Sequence, residues 1–251
     1  MPRFFVESSS VVDGRVRISG SAANHVSRSL RARTGEVLVV VEEGVTEHGV
    51  LLDHVVRGDV SGRVVWSRPA TGEPRVETHV LQAIPQRGME DAVESMTEVG
   101  VTHLHPVVTR RTVSLPHVDA AKRRTERWRS VAREAAQLAG RAATPAVHPI
   151  TTLTDAVVSL RGVALLTAVV RAGAQPIRRH EVDGTRPLAI VIGPEGGLDD
   201  GELVLLRDAG AREVHLGPRV IPARFAGAIA LCIVMAGIGE LDRPAEPVPT
   251  P

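Results

Sequence analysis

The run Leu188–Ile192, Leu-Ala-Ile-Val-Ile, stopped at once by Gly193-Pro194-Glu195-Gly196-Gly197, constrains the fold more than any other stretch of the chain. Five apolar residues without polar alternation read as a strand buried on both faces, as in a parallel sheet flanked by helices. Gly196 and Gly197 lack a Cβ, so the backbone there can adopt positive φ or approach a ligand closely. Asp199 or Asp200 can cap a helix running through Glu202 to Ala209. That places the loop at the carboxyl end of a strand, where open α/β sheets bind ligands. A glycine-rich strand-to-helix turn with no ligand is the alternative that spacing alone leaves open.

The rest of the chain agrees with an α/β fold. From Pro74 onward, strand-like and helix-like segments alternate: "VETHVLQAI", "GMEDAVESMTEVG", "HLHPVV", a long basic helix from about Val118 to Ala139, "AVHPI", "LTDAVVSL" and "GVALLTAV". The series continues through "DGELVLLRDAG" and "EVHLGP" to a final apolar helix, and such alternation argues for a mostly parallel sheet covered on both faces. Before it, "RFFV", "RVRIS", "EVLVVVEEG", "HGVLLDHVV" and "SGRVVW" are short strands at close spacing, the pattern of a small barrel or sandwich. They are interrupted by one helix at "SAANHVSRSLRAR", which Ser21 can cap. "SRPATGEPR" marks the boundary. The expected division is a small β-barrel or sandwich over residues 1–70, an α/β domain over 74–241 and a disordered tail over 242–251.

A net charge of +1 conceals an uneven distribution: between Arg110 and Arg133 eight Lys and Arg face only Asp119 and Glu126. That run is a candidate phosphate-binding patch, with a solvated helix face as the simpler reading. On the basic helix Trp128, Val131, Ala132, Ala135 and Ala139 share one face, which turns Arg123, Arg127, Arg129 and Arg133 outward. The single cysteine, Cys232, excludes an internal disulfide, reads as an inert buried thiol and suits a reducing, cytoplasmic setting. No segment reads as a targeting signal or a membrane span. The ten histidines include His103 and His105 on alternate strand positions, but no Cys or carboxylate spacing completes a ligand set, so no metal is expected.

The loops "IGPEGGLDDGE" and "LGPRVIPARFAGAIA" stand at strand ends one strand-helix-strand step apart. With "HVSRSLRARTGE", "LQAIPQRGMEDAVESMTEVGV", "RRTVSLP" and "RWRSVAREAAQLAGR", the chain resembles the ribosomal RNA small subunit methyltransferase E family of the SPOUT superfamily, from about Pro2 to Gly239. The resemblance implies a PUA-like β-barrel followed by a SPOUT domain with a C-terminal trefoil knot, a topology that periodicity alone would not propose. It implies a homodimer that methylates N3 of a uridine in 16S ribosomal RNA, using S-adenosylmethionine and no metal. By position, the cofactor would lie against Ile192, Gly193, Gly197, Leu216, Gly217 and Val220. Glu195, Arg219 and Arg224 are the polar candidates for the chemistry, because uridine N3 must shed a proton and its anion needs stabilising. Glu195 is either a base or an acceptor for backbone amides. RNA contact is expected from Arg28, Arg31, Arg110, Arg111, Arg123, Arg127 and Arg141.

Three motifs depart from the family pattern. "LGPR" is ordinarily continued by Ile-Leu-Arg-Thr-Glu-Thr-Ala, whereas here Val220-Ile221-Pro222-Ala223-Arg224-Phe225-Ala226 follows, with Arg224 at the Glu position. Gln86 replaces the lysine of "QALPK", and Gln137 and Leu138 replace Glu and Gln in "EAAEQS". Arg224 brings a planar fork for carboxylate or phosphate, and Phe225 a face for a planar ring. Two other readings therefore stand beside the rRNA enzyme: a SPOUT methyltransferase acting on a different, small acidic or planar substrate, and a non-catalytic RNA-binding relative.

Overall fold

The computed structural model describes residues 3–113, 117–177, 184–244, 246–247 and 249. Ser114, Leu115 and Pro116 of the "RRTVSLP" motif lie outside them. By contact the chain divides into two units, one comprising residues 1–73, 136–144 and 245–251, the other 74–135 and 145–244.

The first unit carries β1 (Arg3–Val6), β2 (Val11–Val12), β3 (Arg15–Ser19), α1 (Gly20–Asn24), β4 (Val37–Glu42), β5 (Thr46–Val56) and β6 (Asp59–Pro69). They form one barrel-like six-stranded sheet in the order β1-β4-β5-β6-β3-β2, antiparallel except where β1 runs parallel to β4. Strand β3 shows how the sequence selects its faces. Val16 and Ile18 point into a core with Phe4, Val40, Leu52 and Val60, while Arg15, Arg17 and Ser19 face water. At the β5–β6 pairing, a Cβ on Gly62 would lie 2.4 Å from the Leu51 carbonyl oxygen, so the close approach of these strands requires glycine.

This unit also buries charge. Glu47 on β5 is 0% exposed and faces two guanidiniums: Arg3 Nη2 lies 2.9 Å from Oε2, and Arg68 Nε donates to Oε1. Arg3 also donates to the Thr71 carbonyl and to Thr71 Oγ1. Burial depresses the Arg3 guanidinium, and Glu47 pulls it back upward. Arg68 Nη1 reaches the Pro247 carbonyl at 2.9 Å. Arg141, expected at the RNA surface, is corrected by the fold. It is 4% exposed and donates to both Glu73 oxygens, at 3.2 and 2.6 Å. Glu73 Oε1 accepts as well from the amides of Ala142 and Ala143.

The second unit contains β7 (Thr78–Ala83), α2 (Met89–Val99), β8 (His103–Val108), α3 (Val118–Leu138), β9 (Ala146–Val147), β10 (Thr151–Thr152) and α4 (Leu153–Ser159). There follow β11 (Ala164–Ala168), β12 (Gln175–Pro176), β13 (Leu188–Ile192), α5 (Asp200–Asp208), β14 (Arg212–His215) and α6 (Ala223–Gly237). Every pairing in this sheet is parallel, in the order β10-β8-β7-β13-β11-β14-β12, with β9 also on β8.

The buried run that the sequence marks is β13, with β7 and β11 on its two sides. Leu188, Ile190 and Ile192 face α2, α6 and Trp128 of α3; Ala189 and Val191 face α4 and α5. Trp128, Val131, Ala132 and Ala135 are buried on α3, and Arg123, Arg127, Arg129 and Arg133 are exposed. Ala139 falls outside the helix and is exposed. Cys232 is exposed rather than buried, because it shares the outward stripe of α6 with Phe225 and Ile229 at i, i+4 and i+7. Among the described residues no helix is long and apolar enough to cross a membrane.

Candidate functional site

In a parallel sheet all carboxyl ends point the same way, so the segments following β7, β8, β13 and β14 gather at one edge. Specific bonds join the first three. Glu195, on the loop after β13, accepts the Gln86 amide with both carboxylate oxygens, at 3.0 and 3.2 Å. Arg111, after β8, donates to the Gly196 carbonyl at 2.7 Å, and its stem lies where a Gly196 Cβ would reach it at 3.4 Å. Arg110 gives its amide to Glu202 at 2.8 Å and brings its Nε to 3.2 Å from Asp199.

The turn after β13 is locked by the helix it begins. Asp199 accepts the Glu202 amide at 2.7 Å and Glu202 accepts the Asp199 amide at 2.9 Å, a reciprocal capping box at the start of α5. Replacing Asp199 with alanine is expected to cost about 1 kcal/mol. Chemical denaturation of the variant checks this, and an unchanged midpoint would show that Glu202 alone holds the turn.

The fourth segment, after β14, runs from Leu216 to Pro222. Leu216 and Ile221 pack against the main core, which leaves the residues between them to stand out. Gly217 has φ +107°, and among the described residues nothing lies within 4 Å of the position its Cβ would take; its amide donates to His215 Nδ1 at 3.1 Å. Val220 is 79% exposed, and Arg219 is exposed beside it. Helix α6 then starts at Ala223, whose carbonyl accepts from the buried Gln82 of β7 at 3.4 Å. Arg224 is placed by glycine: a Cβ on Gly88 would meet Arg224 Cδ at 2.6 Å, so the stem crosses the Gly88 cap of α2, and the guanidinium carbon sits 4.6 Å from the Phe225 ring centre.

The residues singled out by sequence therefore fall into distinct groups. Glu195 and Arg224 meet the two ends of the segment from Gln86 to Gly88, and Ile192, Gly193 and Gly197 lie on the β13 turn. Leu216, Gly217, Arg219 and Val220 form the β14 segment. Arg110 and Arg111 brace the β13 turn, whereas Arg28 and Arg31 are exposed in the first unit. A cleft of about 670 Å³ opens beside Gln86, between the α2 start and α3. Arg87, Arg123, Arg124 and Arg127 line it over Trp128, and Glu90 holds Arg127 through two bonds of 3.2 and 2.9 Å. The cleft was not legible in the sequence, because Arg87 and Arg123 belong to segments that only the fold juxtaposes; the spacing of Arg123 and Arg127 on one helical face was its single local signal.

Residues 72–235 match a family model described as an RNA methyltransferase domain. The chain is 30% identical over 241 residues to the ribosomal RNA small subunit methyltransferase E of Mycobacterium bovis, spanning 91% of this chain and 88% of that protein. It is 26% identical to the protein of the same name from Synechocystis, over 93% of this chain and 77% of the relative. A crystal structure of the small subunit methyltransferase E from Neisseria gonorrhoeae, bound to S-adenosyl methionine, superposes with a TM-score of 0.82 at 22% identity. That superposition spans 94% of this chain and 97% of the other.

Proposed function

We propose, since this chain belongs to the RNA methyltransferase family and within it to the ribosomal RNA small subunit methyltransferase E group, that it methylates N3 of a uridine in small-subunit ribosomal RNA from S-adenosylmethionine. The observation that carries the reading is the convergence of the Gln86, Glu195 and Gly217 segments at one edge of the parallel sheet.

The residues present fit the cofactor. The open space at Gly217 is a cradle that any side chain there would fill, and the exposed Val220 offers an apolar contact beside it. Ile192, Gly193, Gly197 and Leu216 complete the proposed lining. When bound, S-adenosylmethionine supplies an electrophilic methyl group on a sulfonium. The protein's own task is to manage the proton and charge of the acceptor. Uridine N3 becomes nucleophilic as its proton passes to solvent water, and the resulting negative charge spreads over the two ring carbonyls. The guanidiniums of Arg219 and Arg224 suit that anion. Glu195, with both oxygens on the Gln86 amide, is better read as the residue that positions this edge than as a free base.

The arginine-lined cleft suits an RNA backbone, and in the first unit the exposed Arg28 and Arg31 are further candidates for phosphate contact. The outward stripe of Phe225, Ile229 and Cys232 on α6 is apolar enough to favour a second copy of the chain as cover. A trefoil knot through the β13 and β14 segments and a cytoplasmic location belong to the same reading.

The test is methyl transfer from labelled S-adenosylmethionine to small ribosomal subunits lacking N3-methyluridine, followed by nucleoside analysis. N3-methyluridine at a single site is the expected product. Cofactor binding without transfer would favour a different acceptor, for which the arginine-on-phenylalanine pair at 224–225 is suited.

A further inference from the structure

The opposite, amino-terminal edge of the parallel sheet carries a second constellation that methyl transfer does not use. Sequence spacing offered His103 and His105 without a complete ligand set, and the sheet supplies what spacing lacks. The β7–β8 register sets His79 beside His103, alternation keeps His105 on the same face, and the β8–β9 pairing brings up His148 one residue beyond β9. Glu77 lies two residues before His79, just ahead of β7.

The contacts run in two arms from one carboxylate. Glu77 Oε1 is 2.8 Å from His79 Nε2 and 3.4 Å from His103 Nε2. Behind these rings, His79 Nδ1 is 3.1 Å from His105 Nε2, and His103 Nδ1 is 3.1 Å from His148 Nε2. The His105 and His148 rings stack with their centres 4.0 Å apart.

We propose that Glu77, His79 and His103 bind a divalent transition metal of the zinc type, and that His105 and His148 hold the two ligand rings from behind. One donor atom from each of the three residues lies within 4.8 Å of the others. Metal–ligand bonds of about 2.0–2.1 Å place neighbouring donors of a tetrahedral ion about 3.3 Å apart, close to the two carboxylate–imidazole separations already present. Two histidines and a carboxylate are an established zinc donor set, which leaves a fourth position for water.

The outer rings give the arrangement its direction. A ligating histidine ordinarily donates its other ring N–H to a fixed acceptor. With Nε2 of His79 and His103 on the metal, their Nδ1–H groups point at His105 and His148, and each of those can accept through Nε2 as its neutral tautomer. Among the described residues Glu77 forms ion-pair contacts only with His79 and His103. A cation between them would supply a countercharge for that carboxylate.

The experiment uses the full chain without an added histidine tag, stripped with chelator and titrated with Zn²⁺ against a chromophoric competitor, then with Co²⁺ read by visible absorption. One equivalent of Zn²⁺ and the intense bands of four-coordinate Co²⁺ are expected. Glu77→Gln and His103→Ala, both at partly exposed positions and each checked for an unchanged circular dichroism spectrum, should weaken binding at least tenfold. His105→Phe should weaken it by about 10- to 100-fold with the three ligands intact. Failure of the wild-type chain to bind near one equivalent at micromolar metal overturns the proposal. So does equal affinity in Glu77→Gln and His103→Ala.

Discussion

Gly217→Leu is expected to lower affinity for S-adenosylmethionine at least about a hundredfold, equivalent to roughly 2.7 kcal/mol, while the protein still folds. Two effects act at that position. At φ +107° a side chain is strained whatever the space available, and the distortion costs about 1–3 kcal/mol of stability. Separately, the side chain grows into the open cradle proposed for the cofactor. Gly217→Ala distinguishes the two, since it carries the same backbone strain with one carbon of bulk. If strain dominates, alanine and leucine lose affinity equally; if the cradle is filled by the ligand, leucine loses far more. Calorimetric titration of both variants reads the difference, and wild-type affinity in the leucine variant would move the cofactor away from the Leu216–Val220 segment.

The second large effect concerns stability and lies in the first unit. Glu47→Gln keeps the shape of the side chain but leaves Arg3 and Arg68 facing a neutral amide in a fully buried position. Removing one partner from a buried ion network costs about 3–5 kcal/mol, because Arg3 is left buried without its carboxylate, while Arg68 keeps only Glu246 at 3.8 Å among the described carboxylates. For a unit of this size the melting transition should fall by about 15 °C or more. Replacing all three residues by apolar side chains of similar volume should recover much of the loss, since the penalty arises from the orphaned charge and not from the missing attraction. A loss below about 1 kcal/mol in Glu47→Gln would mean that water reaches this site.

These effects also mark what the sequence can and cannot disclose. Strand β13 was legible because burial on both faces removes polar alternation, a property of five consecutive residues. The loops at the ends of β13 and β14 were legible because glycine and proline punctuate them. Arg141 was not: in sequence it looks like one more exposed arginine just past the basic run, and the carboxylate that pairs with it in the fold is Glu73, 68 positions away. The exposed Cys232 was hidden for a related reason, as a wholly apolar helix does not declare which stripe the core leaves uncovered. His79 and His103 became neighbours only through the β7–β8 register, while the local pair Glu77 and His79 carried half of that signal in plain view.

The sheet order bears on how this chain must be made. Strand β7 pairs with β13, so Thr78 waits for Leu188, a separation of 188 − 78 = 110 residues, before the centre of the parallel sheet can close. The barrel-like unit waits as well, because residues 136–144 belong to it and supply the Arg141 partner of Glu73 and the Ala142 carbonyl for the Gly44 amide. During synthesis, neither unit can complete its native contacts when its first strands emerge, and the apolar strands β4, β7 and β8 must be kept from wrong pairing in the meantime. Refolding should accordingly be slow relative to proteins of similar stability built from local contacts. A nascent chain halted shortly after Pro74 would be an aggregation hazard and not a folded domain.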